Sequence, residues 1–269
     1  MEPVWKYFKK STTVQLLQIL SDQLDDFFTT LGEMAKQGLV TLTCIFLGQI
    51  NWKEVIEQSA RFGVSSLPIT ISIVSMTSII VAMQVAGEMV KQGGGNYVGL
   101  LVAMLTIRET GIIMSGFAII SMIGSSIASE IATMRVTEQI DAIEVLNVNP
   151  IRYIFVPRVI AGTLMMPPVM IVASAFGIIG GGFASTLVSE LSYKAYFSSV
   201  WSGLYIHDIK VAIAKAFVYG FTIALISCTC GYIAKGGAKG VGIATTKAVV
   251  WSFIAIVILD LIFSIAFFF

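Results

Sequence analysis

The sequence predicts an all-α integral membrane protein: about five transmembrane helices, an N-terminal interfacial or re-entrant amphipathic region, and a short amphipathic helix between two spans. Three observations lead there. Of 269 residues, 56% are apolar and 12% charged, with a mean hydropathy of +0.87; soluble domains carry about 25% charged residues. A soluble core of this size cannot hide so much apolar surface, and lipid is its natural solvent. Five stretches reach the ~20 apolar residues needed to cross hydrocarbon, and the basic residues gather in alternate connecting segments. The formal net charge of +1 offers no field to attract nucleic acid or an acidic partner.

The five stretches are 68–90, 98–128, 154–188, 208–233 and 248–269. A sixth run, 38–48, is too short to span and suits a re-entrant or an interfacial segment. Ahead of it, 14–34 places Leu16, Leu17, Leu20, Leu24, Phe27, Phe28 and Leu31 apart from Asp22, Asp25 and Asp26, the pattern of a helix lying on a membrane. Residues 1–62 are therefore read as an amphipathic region and 63–269 as a transmembrane domain. The basic, amphipathic first ten residues lack the apolar core and cleavage site of a secretory signal, so the first helix is expected to be retained.

Orientation follows from the basic residues, which concentrate on the cytoplasmic side. With the N-terminus inside, the inner segments hold Lys6, Lys9, Lys10, Lys36, Lys53, Arg61, Arg135, Arg152, Arg158, Lys235, Lys239 and Lys247. The outer ones hold Lys91 and Lys194, with Lys210 near a helix end. The expected topology is N-terminus in and C-terminus out. Glycines mark an outer turn at Gly93–Gly94–Gly95 and an inner one from Gly236 to Gly242. Gly177-xxx-Gly181 and Gly124-xxx-Ala128 are spaced to let helices approach closely.

Ionisable residues within spans are costly and by default functional. Arg108 and Glu109 lie in the second span, Lys215 in the fourth and Asp260 in the fifth. At about 1.5 Å per residue, Arg108, Lys215 and Asp260 each fall roughly 10–15 Å beneath the outer surface. Complementary charges at one depth on three helices imply a shared polar cluster. Either it fixes helix packing, or Arg108 and Lys215 meet an anionic headgroup while acyl chains follow the apolar faces. Gln84, in the first span, adds a hydrogen bond to that site or an interhelical one.

Between spans two and three, Val136, Ile140 and Ile143 repeat at helical spacing, while Glu138, Asp141 and Glu144 form an acidic stripe and Pro150 stops the helix. Such a helix either docks into a groove on a cytoplasmic partner or is a solvated connector. There is no phosphate-binding loop: Gly236-Gly-Ala-Lys-Gly-Val-Gly242 lacks the Lys-Ser/Thr pair that would hold phosphate and Mg²⁺. Any ATP and Mg²⁺ are expected in another chain. His207 is the only histidine, and no hydrolase motif occurs, so no metal or catalytic site is expected. Cys44, Cys228 and Cys230 read as apolar filler.

The run Gly124-Ser-Ser-Ile-Ala-Ser-Glu130, then Met134-Arg-Val-Thr-Glu-Gln-Ile-Asp-Ala-Ile-Glu144, Asn149-Pro150 and Val156-Pro-Arg158, resembles the signature of the MlaE/YrbE permease family. So do Arg108-Glu-Thr-Gly111, the segment from Gly236 to Val250, and Asp260; the similarity runs collinearly from about Trp52 to the end. The resemblance implies a homodimeric, non-catalytic permease subunit of an ABC transporter in the bacterial inner membrane. It would move phospholipid between that membrane and a periplasmic MCE-domain protein, with a cytoplasmic ATPase dimer and a small cytoplasmic accessory subunit. Met134, Arg135, Thr137, Glu138, Gln139, Asp141 and Glu144 match the family's coupling helix, placed at 134–146, and Arg108, Glu109, Lys215 and Asp260 its charged lipid cavity. Thr110 and Ile112 stand where the family has leucine and proline, which removes a kink signal beside Arg108. Two other classes remain on the residues alone: an ion-coupled secondary transporter using the charged cluster, and a structural anchor for a periplasmic complex.

Overall fold

The computed structural model describes residues 12–48, 50–189 and 191–268, with the side chains of all of these except 12–20, 22–24 and 26. Among the described residues eight helical segments follow one another: α1 (Thr12–Phe46), α2 (Trp52–Lys91), α3 (Gly95–Val136), α4 (Gln139–Val145), α5 (Ile151–Val188), α6 (Tyr193–Gly203), α7 (Ile206–Tyr232) and α8 (Gly237–Phe268). No strand occurs among the described residues. Among the described residues, α2, α3, α5, α7 and α8 are the five helices long and apolar enough to cross a membrane. The protein is an all-α membrane protein. The expected spans 68–90, 98–128 and 154–188 lie within α2, α3 and α5; 208–233 ends one residue past α7, and the described part of 248–269 lies within α8.

Burial divides the spans into a centre and a rim. Of the most apolar window of each helix, 67% is buried in α7 but only 22% in α8 and 28% in α2. Ile73, Met76 and Ile80 of α2, and Val257, Ile258 and Leu261 of α8, are exposed, a face that needs lipid rather than water. Inside, α2 packs along α5, and α7 is enclosed by α3, α5 and α8. Helices in lipid gain no hydrophobic drive from meeting, so small residues set the contacts. A Cβ at Gly177 would fall 2.6 Å from the Ser78 hydroxyl, and one at Gly181 3.2 Å from the Ala82 Cβ, so this expected small-residue face is the α2–α5 interface. Gly124 meets Ser227 of α7, and Ala128 is fully buried beside Gly231. One close crossing between spans was not foreseen: a Cβ at Gly220 would stand 2.2 Å from the carbonyl oxygen of Gly162.

The N-terminal region differs from expectation. α1 is one 35-residue helix running through Gly38, not an amphipathic helix followed by a separate short run. Among its described side chains, the apolar face expected to meet the membrane is the exposed one. Thr30, Met34, Gln37 and Thr41 are buried against the body, whereas Phe28, Leu31 and Leu39 are exposed. Lipid solvates the apolar face, leaving small and polar residues to pack inward. Phe27 stacks on Trp251 of α8 with ring centroids 4.7 Å apart. Residues 1–10 and the side chains of Leu16, Leu17, Leu20, Asp22, Leu24 and Asp26 lie outside the described residues. The expected boundary at 62/63 falls inside α2, whose path widens into a π-turn over Arg61–Ser65.

Two further segments depart from the sequence reading. α6 was not anticipated: eleven residues too short to span, packed on α3 by Tyr196 and Val200. The buried Tyr196 hydroxyl donates to the Ile178 carbonyl at 3.1 Å, and burial raises its pKa above the usual phenol value. The expected helix over 134–146 is broken. Met134 and Arg135 end α3, Glu138 turns left-handed with φ 60°, and α4 starts at Gln139. Asn149 then accepts from the Ile151 amide at 2.9 Å, and with Pro150 it starts α5.

Candidate functional site

The charged residues of three spans meet near the α6 end of the bundle. Arg108 and Glu109 sit in a π-turn, Thr106–Thr110, inside α3. Such wide turns shift the backbone ladder by one residue and recur at functional sites, so the helix is irregular here without the family's proline. Gly111 closes the turn against α5, where a Cβ would lie 2.4 Å from the Ser174 hydroxyl.

Lys215 of α7 is the hub. Its side chain is wholly buried, and Nζ reaches Asp260 Oδ1 at 2.9 Å, Ser264 Oγ at 3.1 Å, the Arg108 carbonyl at 3.1 Å and Glu109 Oε1 at 3.4 Å. Tyr219 donates to the same Asp260 oxygen at 2.8 Å, and Ser264 donates to Glu109 at 2.8 Å. A buried ammonium persists only when its protons are taken up by acceptors, and this one has four.

Arg108 points to a different partner. Its Nη2 lies 3.0 Å from both carboxylate oxygens of Asp208, a buried residue in the first turn of α7. Phe268 covers both cations, 4.6 Å from the Arg108 guanidinium carbon and 5.5 Å from Lys215 Nζ, measured to the ring centroid. The Arg108 Nε is buried without a hydrogen-bond partner. Beside these groups lies a cavity of about 450 Å³. Val85, Leu101, Met104, Leu105 and Phe268 form its apolar walls; Arg108, Glu109 and Ser264 form its polar one.

The structure thus brings together Arg108, Glu109, Lys215 and Asp260, but not Gln84. That residue is exposed on α2 and lines no part of this cavity; the helix turns Val85 inward instead. Asp208, Tyr219, Ser264 and Phe268 were missed. Tyr219 follows Lys215 by four, and Ser264 and Phe268 follow Asp260 by four and eight, which is the spacing of one helix face. That signal was present. Asp208 read as an acid at a helix N-terminus, a common site for one, and nothing in the sequence paired it with Arg108.

At the α4 end, the sequence-selected residues are spread over two helices and a turn. Thr137, Glu138 and Gln139 are exposed. Asp141 accepts from Arg135 at 2.6 Å and Glu144 from the Tyr232 hydroxyl at 3.2 Å, so two members of the acidic stripe have partners within the chain. Ile140 is buried, while Val145 and Leu146 are 86% and 75% exposed. A second node was not anticipated: Glu130 takes Arg61 at 3.2 Å on one oxygen and Arg158 at 3.1 Å on the other, linking α2, α3 and α5.

Five apolar spans, a buried ion cluster and an adjoining two-toned cavity define a polytopic membrane protein of transporter type. The profile of the family described as permease MlaE matches residues 55–266. The chain belongs to the MlaE permease family. It is 34% identical over 232 residues to a Rickettsia typhi protein named "Probable ABC transporter permease protein", covering 86% of this chain and 90% of that one. A Synechocystis protein with the same designation is 36% identical over 214 residues, covering 80% and 81%. The chloroplastic protein TRIGALACTOSYLDIACYLGLYCEROL 1 of Arabidopsis thaliana is 33% identical over 224 residues, covering 83% of this chain and 64% of its own length.

Proposed function

We propose that this chain is the membrane subunit of an ATP-driven phospholipid transporter. Two copies form the permease, the N-terminus and α4 face the cytoplasm, and the C-terminus faces the periplasm across the inner membrane. A cytoplasmic ATPase dimer, which binds ATP and Mg²⁺, pushes on the α3–α4 turn from Met134 to Glu144. A periplasmic MCE-domain protein receives or delivers the lipid, and a small cytoplasmic accessory subunit completes the assembly.

The observation that carries this reading is the cavity beside Arg108. Its apolar walls suit acyl chains, and its polar wall offers a guanidinium whose Nε lacks a partner. A lipid phosphate is an acceptor matched to that donor. Lys215, Glu109 and Asp260 hold α3, α7 and α8 in register so that Arg108 keeps its place. The exposed Val145 and Leu146 beside the acidic Glu138 fit a partner groove, and the basic residues of the α4 end favour the cytoplasmic side.

The test is ATP-dependent transfer of a fluorescent phospholipid by the reconstituted complex. Arg108→Glu is expected to abolish transfer while the complex still assembles. Loss of assembly would assign the cluster to packing alone. The wholly buried Lys215 between two carboxylates also favours a second reading, proton-coupled transport. Transfer by the permease without its ATPase would select it.

A further inference from the structure

A second cavity, of about 690 Å³, lies at the α4 end, between α1, the end of α7 and the first turns of α8. Among the described residues its charged lining is Lys36, Arg135, Lys235 and Lys247 with Glu33. Arg135 is engaged by Asp141, and Lys36 lies 3.9 Å from Glu33, but Lys235 makes no ion pair among the described residues. α8 begins at this cavity, so the positive end of a 32-residue helix adds to the same field. Gly236 and Gly237, at φ 90° and 68°, make the turn that brings Lys235 back over Gly240.

The opposite wall has another character. Gln37 is 4% exposed, its Nε2 donates to Glu33 at 3.2 Å, and its Oε1 has no partner. A buried amide oxygen left unpaired is costly and calls for a donor. At the rim, Ile243 of α8 is half exposed, and α1 turns Leu31 and Leu39 outward. The site is therefore basic on one side and hydrogen-bond accepting on the other, with the half-exposed Ile243 in its lining.

We propose that this cavity holds the headgroup of a resident glycerophospholipid from the cytoplasmic leaflet. The phosphate sits against Lys235, Lys247 and the start of α8. The glycerol hydroxyl or ethanolamine ammonium of the head donates to Gln37 and Glu33. This lipid ties α1 to α7 and α8, and it is not the lipid carried beside Arg108. Basic pockets between helices on the cytoplasmic side are established headgroup sites in membrane proteins. The proposal rests on the orientation given above, which fixes the leaflet.

The full-length chain, purified in detergent and washed free of loose lipid, is mixed with dioleoyl phosphatidylglycerol, phosphatidylethanolamine or phosphatidylcholine, and bound lipid is counted by native mass spectrometry. Phosphatidylglycerol and phosphatidylethanolamine are expected to survive the wash about tenfold better than phosphatidylcholine, whose head has no donor. Lys235→Ala with Lys247→Ala lowers their retention at least tenfold, since each lysine near a lipid phosphate contributes about fivefold. Gln37→Leu erases the preference over phosphatidylcholine. Lys235→Ala alone, at an exposed position, reports even if Gln37→Leu fails to fold. Arg108→Ala lowers binding in the other cavity and leaves this retention unchanged, so the two proposals fail separately. Retention indifferent to both lysines overturns the inference, as does displacement by soluble glycerol 3-phosphate at equal concentration, which would mark a small-anion site.

Discussion

Two charged networks link the spans, and they differ in how far each is withdrawn from water. At the α6 end, Lys215 is wholly buried and Asp260 is 12% exposed. At the α4 end, Glu130 is 38% and Arg61 53% exposed, with Arg158 at 6% the one buried member. Both networks join three helices through one central ion. The first lies deep in its spans beside an amphiphilic cavity, where a charge is retained only at high cost. The second sits at helix ends, where water shares the burden. Similar pairings therefore serve different ends: one holds a site, the other staples helices.

Breaking the deep network has the largest expected effect. Lys215→Met leaves Asp260 and Glu109 without their cation, and removing one partner of a buried pair costs about 3–5 kcal/mol. Thermal unfolding in detergent is expected to show the loss, with lipid transfer abolished. Replacing Asp260→Leu as well removes the more buried of the two stranded carboxylates and leaves the partly exposed Glu109, so stability is expected to recover in part while transfer does not. Recovery of transfer as well would show that the cluster only packs helices.

This contrast explains how much was legible in the sequence. Lys215 and Asp260 stand out against apolar neighbours, and counting residues put them at one depth with Arg108. The staple stayed hidden because Arg61 and Glu130 lie between the expected spans, where charged residues are ordinary, and Arg158, inside the third expected span, was counted with the inner basic residues. Gln84 was selected by polarity, yet rotation about α2, which periodicity in an all-apolar helix does not report, turned it outward. The amphipathic start of α1 was legible, but its continuation to Phe46 and its packing on the body through Thr30, Met34, Gln37 and Thr41 were not. α6 escaped because eleven mixed residues carry no hydropathy signal.

A control for rigidity lies between the networks. Gly220→Ala sets a methyl against the Gly162 carbonyl, where 2.2 Å is available. Pushing α5 and α7 apart costs about 1–3 kcal/mol without touching a charge. If transfer falls no further than stability accounts for, the deep network acts through its chemistry and not through stiffness. Glu130→Gln follows: Arg158 keeps the Ile154 carbonyl at 2.9 Å but loses its carboxylate. A charged hydrogen bond is worth about 1.5–3 kcal/mol, and the partial exposure of Glu130 places the loss at the low end. The melting temperature is expected to fall by a few degrees with transfer retained.

The smallest effect on stability belongs to α4. Glu138 makes no ion pair among the described residues, and the Arg135–Asp141 pair is 34% and 53% exposed, so reversing both acids to lysine costs the fold at most about 1 kcal/mol. Co-purification with the ATPase is nevertheless expected to be lost, because charge at a docking surface governs encounter and register more than folding. A melting temperature within a degree or two of wild type, with the ATPase absent from the purified complex, separates this helix from both networks. If the ATPase stays bound, force must enter elsewhere, and the exposed Val145 and Leu146 become the contacts to replace next.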